Sequence, residues 1–182
     1  MLPGLNVIGD CTNALVTLLT GLDVTLDSPA SLSASTGSYQ RVNLYLYQVL
    51  EDAFAKKQLW DTQSAHTQRF PPLALNLHYL LTPYASDTLS AHRVLGESMR
   101  IFHEKAILKG NQLPDSLRFS VNSVSIVLNP LKLEELTRIW NSLQTAYRLS
   151  ITYEVKVVLL ESFTTRAVSR TTEVYKEYKP ID

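Results

Sequence analysis

The chain has little of what small catalytic or metal sites are built from. A single cysteine, Cys11, rules out an internal disulfide, and it falls on an apolar helical stripe, where packing accounts for it. The four histidines, His66, His78, His92 and His103, form no pair at a ligand spacing, and no HExxH or CxxC occurs. Six scattered glycines, at 4, 9, 21, 37, 96 and 110, write neither a P-loop nor a dinucleotide fingerprint. There is no GxSxG elbow, and acidic residues do not recur with the spacing of a calcium or magnesium loop. The adjacent Glu134 and Glu135 are explained by a helix N-terminus. No catalytic residue, metal site or cofactor is expected, and the chain does not read as an enzyme.

An excess of one charge is missing too. Lysine and arginine number 17, as do aspartate and glutamate, so nothing general draws the chain to nucleic acid or an anionic membrane. The nearest approach to a basic aromatic patch, Lys56, Lys57, Trp60, His66 and Arg69, is too small for a nucleic-acid footprint. No apolar run reaches the roughly eighteen residues of a membrane span. The N-terminus has no basic region ahead of its apolar positions, so no signal peptide is expected and synthesis is read as cytoplasmic. At 182 residues and 45% apolar composition, the chain suits one globular domain.

What is present is a set of long two-faced strands. In LALNLHYLLTPY, residues 73–84, Leu73, Leu75, Leu77, Tyr79 and Leu81 share one face, and Ala74, Asn76, His78, Leu80 and Thr82 share the other. Period two predicts a central strand, with Pro71 and Pro72 barring a helix before it and Pro83 ending it. RVNLYLYQVL, from Arg41, places Val42, Leu44 and Leu46 against Asn43, Tyr45, Tyr47 and Val49. Alternation is cleanest from Arg148 to Leu160. From Leu117 to Leu128 it slips, which predicts a strand with a bulge near Asn122 and Ser123. A short strand is also read at Asp23 to Leu26.

Three stretches carry helical spacing. The first runs from Leu5 to Thr20 and is closed by Gly21. The second runs from Ser86, as N-cap, to Leu108, with a stripe of Leu89, His92, Leu95, Met99, Phe102 and Ala106. The third runs from Leu131 to Leu143, with a buried face of Leu133, Leu136, Ile139 or Trp140, and Leu143. Asp27 to Tyr39 reads as an exposed loop and Glu51 to Pro72 as a long polar excursion, in which Trp60 and Phe70 either anchor an interface or fold back onto the core. Beyond Glu161 the pattern decays, although Thr171 to Tyr178 has enough β-formers for an edge strand. This order predicts an α+β fold: a single mixed or largely antiparallel twisted sheet of long strands, packed on one face by two or three helices. The other face, with its Tyr, Asn, Ser and Thr residues, is left for water or another chain.

Four stretches carry a family resemblance: VNLYLYQV at 42–49, PPLALNLHYLLTPYA at 71–85, AHRVLGESMRIFHE at 91–104, and LNPLKLEELTRIWNSLQTAYRLSITYEVKVVLLES at 128–162. In them the chain resembles the N-terminal domain of the tube-terminator, or tail cap, proteins of extracellular contractile injection systems, which are similar to contractile phage tail terminators. The resemblance runs from Asn6 to Ser162. It implies a terminator-like domain over 1–162, followed by a polar extension over 163–182 that serves as an added edge strand or a partner-binding arm. It further implies a structural subunit of a phage-tail-like particle, released or cell-associated. That subunit would form a homo-hexameric ring that caps and terminates the inner tube and couples it to the last sheath ring. The partners implied are the tube protein and the sheath protein, with no nucleic acid and no membrane insertion. A baseplate or other component of the same particle is the alternative. A closed ring uses heterologous contacts, and Tyr45, Tyr47, Trp60, Phe70, Asn76 and His78 are the candidate interface. Leu77, Tyr79, His92, Gly96, Trp140, Tyr147 and Tyr153 are expected to fix the fold.

Overall fold

Apolar residues at helical spacing build the first element, α1 (Val7–Leu18), which buries Val7, Cys11, Ala14 and Leu15. Gly21, at φ 100°, then turns the chain out of the helix through a conformation that side chains resist. There follow β1 (Asp23–Thr25), β2 (Arg41–Glu51), β3 (Asp61–Ser64), β4 (Thr67–Arg69) and β5 (Leu73–Tyr84). Next come α2 (Thr88–Glu104), β6 (Ile107–Lys109), a 3-10 turn (Gly110–Gln112) and the single-turn α3 (Asp115–Arg118). The remaining elements are β7 (Ser123–Leu128), α4 (Leu133–Ser142), β8 (Ile151–Leu160) and β9 (Thr165–Ala167). This computed structural model describes residues 6–32, 40–52, 61–64, 67–69, 73–118, 121, 123–160 and 165–167.

Six strands form one sheet in the order β1-β2-β5-β8-β7-β6. β1 runs parallel to β2 and every other neighbour is antiparallel, so the sheet is mixed and the fold is of the expected α+β class. β5 lies inside, bonded to β2 on one side and β8 on the other. Its odd face, Leu75, Leu77, Tyr79 and Leu81, joins Val42, Leu44, Tyr153, Val155 and Ile126 in the main core, beneath Val7 and Leu15 of α1, Phe102 of α2 and Leu117 of α3. Within it the Phe102 and Tyr153 rings meet edge to face at 4.9 Å, and the Tyr79 hydroxyl is satisfied by Thr12 Oγ1 at 2.8 Å.

Local chemistry moved several boundaries. α2 starts on Asp87, not Ser86, because the Asp87 carboxylate accepts the Ser90 backbone N–H at 2.9 Å. It ends at Glu104, and Ile107–Lys109 is the edge strand β6 instead of helix. Its buried line is Val94, Leu95, Ser98 and Phe102, whereas Leu89 and His92 are exposed. Ser98 can take a core position because its hydroxyl donates to the Val94 carbonyl at 2.8 Å. Gly96 is exposed, and a Cβ placed there would meet nothing within 4 Å, so no element uses the missing side chain for a close approach among the described residues. Gly96→Ala is therefore expected to raise folding stability by about 0.5–1 kcal/mol in a urea titration.

The stretch read as one strand from Leu117 holds a change of element, and Asn122, where a bulge was expected, lies outside the described residues. Leu117, fully buried, belongs to α3, and the strand begins only at Ser123. In α4, Leu136 and Trp140 are buried as expected, but Leu133 is 65% exposed and leaves the predicted face. The excursion after Glu51 is not one long loop: β3 and β4 form an antiparallel pair, and β4 pairs with β9 from the C-terminal extension, making a separate three-stranded sheet. Trp60, Phe70 and the stretch Thr171 to Tyr178 lie outside the described residues.

Candidate assembly surface

The even-numbered residues of β5 line the second face of the sheet, and register places them beside specific partners. Asn43 stands opposite Thr82, Tyr45 opposite Leu80 and Gln48 opposite His78 on β2, while Thr152 stands opposite Leu80 and Glu154 opposite His78 on β8. Helix α4 lies over the middle of this face. Leu80, Leu136 and Trp140 form a buried cluster, against which Tyr47, Leu131, Ile139 and Leu143 pack. The Trp140 indole N–H donates to Ser150 Oγ at 3.0 Å, and the Ser150 hydroxyl donates to the Arg148 carbonyl at 3.1 Å. Glu135 secures the start of α4 by accepting the Lys132 backbone N–H at 2.9 Å. The face that sequence pattern left wholly to water or a neighbour is thus partly closed by the chain's own helix.

Of the candidate interface residues, Tyr45, Tyr47 and Asn76 are half-buried and His78 is buried. The Tyr47 and His78 rings approach at 6.1 Å. Burial, then the nearby Glu135 and Glu154 carboxylates, push the Tyr47 hydroxyl above its ordinary pKa, which keeps it a neutral donor. Tyr147, 45% exposed, stands edge-on to Trp140 at 6.3 Å and shields the indole from outside. Leu77, Tyr79 and Tyr153 belong to the main core on the opposite face.

Among the described residues, the buried side-chain polar atoms that lack a hydrogen bond all lie on the second face: Asn43 Oδ1, Asn76 Oδ1, both ring nitrogens of His78, Thr82 Oγ1 and Tyr84 Oη. Each such atom costs about 1–3 kcal/mol.

Among the described residues no three His, Cys, Asp or Glu side chains cluster to hold a metal ion. Burial, helped by Asp10, pushes the Cys11 thiol up to about 12, so it stays protonated and unreactive near neutrality. A groove of about 440 Å³ between α2 and the β7–β8 strands is lined mainly by Met99, Phe102, Ile126, Leu128 and Tyr153. Arg100 at its rim is already held by Glu97 and Glu104, each at 2.6 Å. No described helix is long and apolar enough to cross a membrane.

Sequence pattern missed the far end of β2. The register shift between Leu46 and Gln48 brings Val49 opposite Leu77, so it leaves the face of Tyr45, and Val49 and Leu50 stand 41% and 45% exposed. Single-sequence alternation carries no sign of a bulge inside LYLYQVL, because every residue there suits a strand on either face.

A family model, described as the Pvc16 N-terminal domain, matches residues 9–173. Among solved structures, the sheath/tube terminator of an extracellular contractile injection system, PVC, in its extended state, aligns with a TM-score of 0.65 at 18% identity. That alignment covers 96% of this chain and 64% of the other. The anti-feeding prophage cap, the AFP tube-terminating cap, aligns with a TM-score of 0.60 at 17% identity, covering 94% of this chain and 60% of the other. The chain thus spans less than two thirds of the length of either structure, and at such identities the likeness is one of fold. No curated protein matches significantly.

Proposed function

From the premise that the chain belongs to the Pvc16 N-terminal domain family, we propose that it is a tube-terminator subunit of a contractile injection particle. The observation that carries this reading is the family match over residues 9–173, supported by the shared fold with a sheath/tube terminator and a tube-terminating cap. In this role copies of the chain close into a homo-hexameric ring on the last ring of the inner tube, stop its growth and couple it to the sheath. Residues 1–162 act as the terminator domain and 163–182 as an arm. β9, within that arm, is bonded to β4, so the arm starts from an ordered base. The role is one of geometry and contact and calls on no catalytic group. Tyr45, Tyr47, Asn76 and His78, with Trp60 and Phe70 of the excursion, supply contacts to a neighbour or to the tube.

The test is direct. Tube protein is polymerised with and without the purified chain, and tube lengths and end labelling are measured by electron microscopy. The expected result is shorter tubes with label at one end only. Unchanged lengths and label scattered along the tubes would remove the proposal.

A further inference from the structure

Two apolar stripes run past the cover that the chain itself provides. By its spacing Leu133 belongs with Leu136, Trp140 and Leu143, yet at the first turn of α4 it stands 65% exposed. On the approach to β8, Leu149 has the parity of the core residues Tyr153 and Val155, yet it is 44% exposed. A lone surface leucine signifies little. What sets these two apart is the charge around each.

Leu133 is flanked by Lys132 and Glu134, both exposed, and neither enters an ion pair. Leu149 borders a pocket of about 300 Å³ beside the start of α2, whose wall also carries Asp87, Ala91, His92 and Arg148. The Arg148 guanidinium stacks over the Tyr84 ring at 5.1 Å and has no carboxylate partner. Asp87 accepts the Ser90 backbone N–H and has no cation. His92, exposed on the same wall, adds no negative charge in either protonation state. Two surfaces of one chain thus carry the sets Lys–Leu–Glu and Asp–Leu–Arg, each without its complement.

We infer that the start of α4 in one copy seats in this pocket of the next, with Leu133 against Leu149, Glu134 toward Arg148 and Lys132 toward Asp87. The inference rests on the reading that the chain builds a closed ring, and it names the two surfaces that such a ring joins. Helix α2 packs on the main-core face of the sheet and α4 on the opposite face, so a chain does not fill its own pocket. A knob and a pocket on different surfaces make a heterologous contact, the kind from which rings close. The charges fix the direction of seating, because the reverse sets Glu134 against Asp87 and Lys132 against Arg148. Stacking on Tyr84 holds the guanidinium in place beforehand, which lowers the cost of ordering it on contact.

The test uses the whole chain. Sedimentation equilibrium and native mass spectrometry are expected to show concentration-dependent self-association, weakened about tenfold or more by Leu133→Ser. Glu134→Lys and Arg148→Glu should each weaken it about fivefold, and the two combined in one chain should regain most of the loss, because the pair is rebuilt with its signs exchanged. Leu133 and Glu134 are exposed, so thermal unfolding of their variants should stay near the parent value. Mixing Leu133→Cys chains with Leu149→Cys chains should give a mixed product with a short bis-maleimide, with buried Cys11 taking no part. A chain that remains monomeric at the highest concentration reached, association indifferent to Leu133→Ser, or a double charge variant no better than the single ones each overturns the inference. If the mixed product forms while the chain ignores tube ends, the contact stands and the terminator role falls.

Discussion

Trp140→Ala is expected to lower folding stability by about 3–5 kcal/mol, the usual cost of emptying a large aromatic site in a core. Trp140 is 1% exposed, and with Leu136 and Leu80 it makes up the buried cluster that holds α4 on the sheet. The loss is expected at the upper end because the site cannot collapse: Tyr147 borders it on the outer side, and the strand beneath is fixed by two neighbours. Removing the indole also leaves the buried Ser150 hydroxyl without its donor. Trp140→Phe separates the two effects, because it keeps most of the volume and loses only the N–H; about 1–2 kcal/mol is expected. Urea unfolding followed by far-UV circular dichroism measures both. A loss below about 1 kcal/mol for Trp140→Ala would place α4 off the sheet and contradict the packing described.

His78→Leu should act in the opposite direction and raise stability by about 1–2 kcal/mol. The imidazole is buried, neither ring nitrogen has a hydrogen bond, and its ring contact is with Tyr47 at 6.1 Å. A leucine of similar size keeps the contact with the sheet and removes two unsatisfied polar atoms. A drop in stability on substitution would show that the nitrogens are satisfied in the folded chain. The informative outcome couples two readouts. If these polar groups serve a neighbour or the tube, the stabilised variant should capture tube ends less well than the parent, a familiar exchange between stability and function.

Element type was legible wherever one period ran long enough to exclude the other. The strand of residues 73–84 was readable from its alternation, but Pro83 does not end it: it pairs with Val42 inside β5, and the register with β8 shifts between Leu75 and Leu77. The third helix was legible through Leu136 and Trp140, four apart. The start of α2 was not, because Ser86 and Asp87 are both good caps in isolation, and only the path of the chain out of β5 decides which reaches the Ser90 N–H. The stretch from Leu117 to Leu128 misled because a single helical turn followed by a strand mimics one strand with a bulge when only the apolar residues are read. The three-stranded sheet was invisible because its strands are short, polar and joined across most of the chain. The candidate surface divides in the same way: the residues of the mixed face were readable from alternation, but their partial cover by α4 was not.

By itself the sequence determined the class of fold, the central place of the strand from Leu73 to Tyr84, the absence of the familiar catalytic and metal motifs, and the family to which the chain belongs. The first three follow from side-chain periodicity and residue spacing, which are local properties of a chain; the family follows from the resemblance of four stretches and the match of the family model. Only the tertiary structure decided which face α4 closes and which buried polar atoms of that face, among the described residues, lack a hydrogen bond. Those depend on the order of strands across the sheet, and that order is set by the joint burial of residues far apart in sequence, which no local pattern encodes.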